Sequence, residues 1–210
     1  MKKYTIFSIL ILVSILLKAQ NYTYDDIYKT NKIYFFGYDF TKIKIIESSD
    51  IGYEQVFIFG IIQFLNNNRK EKKYERHLKK DTVLFVQNTV NELNSKIPKG
   101  SLMGISGTDL SISKDSLQLM VNKYDTKGMS GIGFVQIIES FYKPKHQTKL
   151  WYVFFDITSK KILDTFENTN KDADSWHGYS EYWSVGLGSS MGFFLSDHYF
   201  KGRKAYKKRN

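Results

Sequence analysis

The strongest constraint on this chain is a pair of strand-like runs in its second half. Ile132, Phe134, Gln136 and Ile138 alternate with Gly133, Val135, Ile137 and Glu139. Both sets are mostly apolar, which predicts a central strand covered on two faces. Leu150–Ile157 is the strongest strand run of the sequence. Thr158, Ser159 and Lys160 then make a tight turn, and Lys161–Phe166 returns, so length and composition predict a β-hairpin. Ser180 is placed to cap a last helix from Glu181 to about Leu195, with Trp183, Leu187, Met191 and Phe194 as its apolar stripe. A hairpin and helix of this kind require a sheet with helices packed on it.

Earlier segments fit the same plan. Residues 21–30 read as a polar leader, helical or loose. Ile33–Phe36, Thr41–Ile46 and Asp81–Val86 are short strand candidates. Tyr53–Leu65 is apolar at nearly every position and reads as a buried helix ended by three asparagines. Lys70–Lys80 reads as a short, mostly exposed amphipathic helix with Tyr74 and Leu78 on one stripe. Asn88 or Thr89 starts a helix that Pro98, Lys99 and Gly100 end, and Ser113 starts another with Leu117, Met120 or Val121, and Tyr124 on one side. No repeat and no linker divides the chain. The expected fold is α/β (α+β): a single domain with a mixed, mostly antiparallel sheet covered by helices, and a C-terminal β-hairpin followed by a helix.

The first residues carry a different message. Lys2 and Lys3 precede an apolar run, Ile6–Leu17, broken only by Ser8 and Ser14. About 12 residues at 1.5 Å rise span roughly 18 Å, short of a hydrocarbon core of about 30 Å. The pattern is that of a cleavable secretory signal over residues 1–20, cut after Ala19 or Gln20. A single domain over 21–200 and a basic, disordered tail over 201–210 would follow. The expected location is secreted or periplasmic, with no stable transmembrane segment after signal cleavage. The chain has no cysteine, so disulfides, cysteine metal sites and a lipid-anchored cysteine are excluded.

The net charge is +10. Arg69–Lys80 holds seven basic residues, and Lys201–Arg209 holds six with no acid. Such surfaces meet anionic headgroups, polysaccharide or nucleic acid, and export argues against nucleic acid. A solvated helix face plus a frayed tail is the competing reading.

Motifs for catalysis fail on inspection. Gly104-Ile-Ser106-Gly-Thr108 lacks the last glycine of a hydrolase elbow. The glycines at 128–133 precede a strand and those at 186–192 are wrongly spaced, so neither is a dinucleotide fingerprint. His177 and His198 match no zinc spacing. The chain is therefore expected not to be an enzyme and to need no cofactor.

One loop holds ligand-type residues. Asn170, Asp172, Asp174 and Glu181 fall at positions 1, 3, 5 and 12 of an EF-hand-like calcium loop. Ser175 stands where the turn glycine belongs, so an ordinary polar connection is the competing reading. Trp176, His177, Tyr182 and Trp183 offer a ligand platform for a sugar or peptide, or alternatively fill the core where hairpin meets helix.

The run Phe154-Phe155-Asp156-Ile157, the turn Thr158-Ser-Lys160, the return Lys161-Ile-Leu163, and a Tyr182-Trp183 helix rich in small residues resemble the small periplasmic α/β domains of curli-secretion-type and Tol-type envelope proteins and their secreted bacterial relatives. The resemblance covers about residues 113–195. It implies a non-enzymatic binding or assembly role in the bacterial cell envelope, with an envelope protein or polysaccharide as partner. The alternative is a secreted calcium- or glycan-binding module, or a hydrolase, built on the Asn170–Glu181 loop and its aromatics.

Overall fold

The computed structural model describes residues 21–46, 60, 63, 71–98, 102, 111–126, 128–142, 145–171 and 179–210, without the side chains of 179–185. The signal expected at 1–20 and most of the helix expected at 53–65 lie outside these residues.

The elements are α1 (Asp26–Lys29), β1 (Lys32–Asp39), β2 (Lys44–Ile46), α2 (Glu71–Leu78), β3 (Thr82–Phe85), α3 (Asn88–Ser95), α4 (Lys114–Asn122), β4 (Ile132–Tyr142), β5 (Gln147–Asp156), β6 (Ile162–Asn170), α5 (Tyr179–Phe193), a π-helical turn (Phe194–Tyr199) and α6 (Phe200–Arg209). The strands form one sheet in the order β3-β1-β4-β5-β6, and β2 lies along β4. Three short ladders are parallel, β1 with β3 and β4, and β2 with β4. The two longest, β4–β5 and β5–β6, are antiparallel. The expected α/β fold with a mixed, mostly antiparallel sheet and a C-terminal hairpin and helix is the one observed.

The layering follows from the handedness of crossovers. From β1 to β3 the chain moves one way along the sheet, and from β3 to β4 it moves back over β1. Right-handed connections in opposite directions put their helices on opposite faces. One face carries Leu78 of α2 and the C-terminal helix against Phe35, Phe134, Tyr152 and Phe154. The other carries Val90 of α3 and Leu117, Met120 and Val121 of α4 against Phe36, Val135, Val153 and Phe155. Strand β4 is buried along nearly its whole length because it lies between these layers. Ser113 caps α4 as its position predicts, accepting a hydrogen bond from the Ser116 amide.

Strand β1 carries a register shift between Phe35 and Gly37. Gly37 has φ +97°, where a side chain is strained, and the Gln87 side chain fills the space a Cβ would need. Past the shift, Tyr38 turns to the α2 face, where its hydroxyl meets that of Tyr74 at 2.8 Å.

The C-terminal segment corrects one expectation. Residues 201–210, anticipated as a disordered tail, run as helix α6 to Arg209. The polypeptide stays helical from 179 to 209, with the π turn inside it. At α-helical spacing, residues 198, 201 and 205 would follow Phe194 into the core. The π turn adds one residue to the repeat and brings Tyr199, Gly202 and Tyr206 inward instead. Tyr199 is fully buried and its hydroxyl donates to the Leu78 carbonyl at 2.7 Å. Gly202 lies under the Tyr28 hydroxyl, and the Tyr206 ring sits 6.1 Å from that of Tyr28. Arg209 pairs with Asp25 at 2.6 Å. These ties hold in place what charge composition alone suggests should fray.

Three glycine variants check this packing. A methyl at Gly133 would fall on the buried Phe155 ring, and one at Gly202 on the Tyr28 hydroxyl. Gly133→Ala and Gly202→Ala should each cost about 1–3 kcal/mol in urea unfolding. Gly188→Ala, on an exposed helical position with open space, should stabilise by about 0.5–1 kcal/mol. Equal effects at all three positions would contradict the packing described.

Candidate functional site

The residues singled out for ligand binding are dispersed in what can be described. Asn170 ends β6, is buried, and its amide donates to the Gly186 carbonyl at 3.0 Å. It ties the edge strand to α5. Asp172, Asp174, Trp176 and His177 lie outside the described residues. Glu181, Tyr182 and Trp183 fall within α5, but their side chains also lie outside the description.

The interior carboxylates are consumed by the fold. Asp39 ends β1 at 1% exposure. One oxygen accepts from the Tyr124 hydroxyl at 2.7 Å, and the other from the amide and hydroxyl of Thr41 at 2.8 and 2.6 Å. Asn94 on α3 completes that corner. It accepts from the Phe40 amide and donates to the Tyr38 carbonyl, both at 2.8 Å, where β1 has run out of ladder partners. Glu139 sits at the β4 irregularity, 1% exposed. It accepts from the Trp151 indole at 2.7 Å and the Ile112 amide at 3.1 Å, and pairs with Lys149 at 2.6 Å. Lys149 also reaches Glu167 at 2.6 Å. Burial lowers the Lys149 ammonium, but its bonds to the two carboxylates outweigh that and hold it above the usual lysine range. Asp156 accepts from the Thr158 amide at 2.8 Å and fixes the hairpin turn. A carboxylate with this many donors is oriented by them and serves as a structural tie.

His198 was visible in the sequence, but its partner was not. The π turn carries it to the edge of the sheet, where Nε2 meets Asp164 of β6 at 2.6 Å and the ring stacks on Phe166 at 4.8 Å. Among the described residues no group of three or more His, Asp or Glu side chains could hold a metal ion.

Two elements of the described surface carry clusters of exposed cations. The C-terminal end of α2 abuts the start of α6: Arg203 donates to the Lys79 carbonyl at 3.3 Å, one turn beyond the Tyr199–Leu78 bond. Lys72, Lys73, Arg76 and Lys79 are exposed on or just after α2, and Lys201, Lys204, Lys207 and Lys208 on α6. Two basic runs more than a hundred residues apart in sequence thus meet at this junction. Its field reaches neighbouring groups. Burial first, then Lys73, Arg76 and Lys79, lower the affinity of His77 for a proton. Lys80, buried and donating to the Ile27 and Thr30 carbonyls at 2.6 Å each, is pushed down to about 8 by burial and by Arg203, against a weaker opposite pull from Asp81. Part of the surrounding acid is already engaged, since Asp197 pairs with Lys201 and Asp25 with Arg209. Glu71 and Glu75 remain on α2.

The same interior sets the pH response. Burial raises the hydroxyls of Tyr28, Tyr74, Tyr124 and Tyr152 well above 10, and that of Tyr199 to about 12. A group raised on folding contributes stability that is present below its unfolded value and lost as pH climbs toward the folded one. Lys80 has the opposite sign: its penalty is complete below about 8 and relieved as pH rises toward 10.5. Stability in urea should therefore rise between pH 8 and 10 and fall above 10. Absorbance at 295 nm should show five of the fifteen tyrosines ionising only when the protein unfolds. Fifteen tyrosines titrating together near pH 10 in the folded protein would refute this. No family model, curated protein or solved structure matches the chain.

Proposed function

We propose that this chain is an exported, non-enzymatic binding protein of the bacterial cell envelope, acting through the basic face that α2 and α6 share. The observation that supports it is the junction at Lys79 and Arg203, where two cationic segments meet on a docked helix instead of one fraying away. Holding like charges together costs free energy, and an anionic partner offsets that cost. The polar groups of the interior favour binding over chemistry, because Asp39, Glu139 and Asp156 are each engaged by donors from the fold. Export rests on the amino-terminal pattern of Lys2, Lys3 and the apolar run that follows. The resemblance to small periplasmic envelope domains points the same way.

The test uses the full chain expressed in a bacterial host. Mass spectrometry of the product should find it beginning at Gln20 or Asn21 and outside the cytosol. On immobilised heparin, a generic polyanion, the protein should be retained at low salt and released as salt rises. Lys72→Glu/Arg76→Glu/Lys204→Glu should elute at distinctly lower salt with an unchanged melting temperature. A cytosolic product starting at Met1 would remove export. Flow-through of the wild-type protein at low salt would remove the basic face as a binding surface.

A further inference from the structure

We infer that the outward half of the C-terminal helix is a peripheral docking surface for an anionic lipid bilayer, with Phe193 and Phe200 as apolar anchors between its cations. This deepens the reading of the basic face as a binding surface and rests on it. The inward half of residues 187–206 is settled by packing: Leu187, Met191, Phe194, Leu195 and Tyr199 are buried. The outward half is settled by exposure: Phe193, Ser196, Asp197, Phe200, Lys201, Lys204, Lys207 and Lys208. Two phenylalanines stand among these at 46% and 37% exposure.

Those rings decide between kinds of anionic partner. Charge alone would suit a polysaccharide, a nucleic acid or a membrane. A phenylalanine has no hydrogen-bonding group to offer a sugar hydroxyl or a phosphate, so the free energy of its exposure in water is recovered best by an apolar contact. An interface between headgroups and acyl chains recovers it, and Lys or Arg residues beside Phe or Leu on a helix are the composition of interfacial helices. Lys72, Lys73, Arg76 and Lys79 extend the cationic area sideways from the Arg203 junction. Each basic residue near an anionic surface contributes on the order of fivefold in affinity. No helix among the described residues is long and apolar enough to cross a membrane, so the contact is peripheral.

The experiment is flotation of the purified signal-free chain with vesicles of phosphatidylglycerol and phosphatidylcholine, against vesicles of phosphatidylcholine alone. The inference expects flotation with the first and not the second. Lys204→Glu/Lys207→Glu/Lys208→Glu should weaken vesicle binding by on the order of a hundredfold, and Phe193→Ser/Phe200→Ser by about tenfold. Unchanged circular dichroism verifies that the variants are folded, and the milder Lys204→Gln/Lys207→Gln/Lys208→Gln set serves if charge reversal perturbs the helix. Absence of flotation together with retention on heparin overturns the lipid surface and leaves the basic-face reading standing. Failure of both overturns both. Vesicle binding that the serine variants do not weaken also overturns the inference, since the rings are what single out a bilayer.

Discussion

Phe194 is the hinge pin of this architecture. Its ring lies 4.2 Å from that of Tyr152 and nearly parallel to it. Phe134, Phe154 and Phe166 surround it at about 6 Å, so three neighbouring strands supply its seat. Burying such a ring contributes on the order of 2–3 kcal/mol, with about 1 kcal/mol more from favourable ring pairs. That seat fixes the height and rotation of the whole C-terminal helix on the sheet. The π turn begins at this residue, and everything beyond it inherits the register set there. Tyr199 can then reach α2, His198 can reach β6, and α6 is delivered against α1 and α2.

The polar side chains of the interior repeat one theme. Asn94, Asp156, Glu139 and Lys80 each bond backbone groups that the sheet leaves unpaired. Asn94 substitutes for a missing strand partner at Phe40, and Asp156 closes the hairpin. Glu139 collects the amide of Ile112 and the indole of Trp151 beside the bulged β4 position. Lys80 takes the last carbonyls of α1, where a cation suits the negative end of a helix. Buried charges are tolerated when they are this fully bonded. Among the described residues, the C-terminal helix commits its inner face to aromatic packing and carries lysine and phenylalanine on its outer face.

Much of the fold was legible because its strands announce themselves. Ile132–Glu139 is apolar on both faces, and only a strand between two layers accommodates that. The turn at Thr158–Lys160 is short enough to force an antiparallel return, although β6 continues to Asn170 beyond the expected Phe166. The helix at Ser113 was marked by its cap and spacing, and those at Lys70 and Asn88 by spacing. The strand expected at Thr41–Ile46 is shorter, because Asp39 and Thr41 make a side-chain turn before β2 begins. The π turn was not legible. Phe193, Phe194, Tyr199 and Phe200 are all large aromatics, so the sequence offers two registers and the seat between strands selects one.

The sequence by itself determined the kind of fold, the absence of cysteine chemistry and the presence of two basic runs. Periodicity and composition are local properties, and those features follow from neighbours within a few residues. Only the tertiary structure decided that residues 200–209 form a docked helix and that the two basic runs meet. Both outcomes depend on contacts between residues more than a hundred positions apart: Tyr199 with Leu78, Arg203 with Lys79, and Arg209 with Asp25. A run of lysines carries no sign of whether a distant tyrosine will hold it down. That depends on the packed surface it meets.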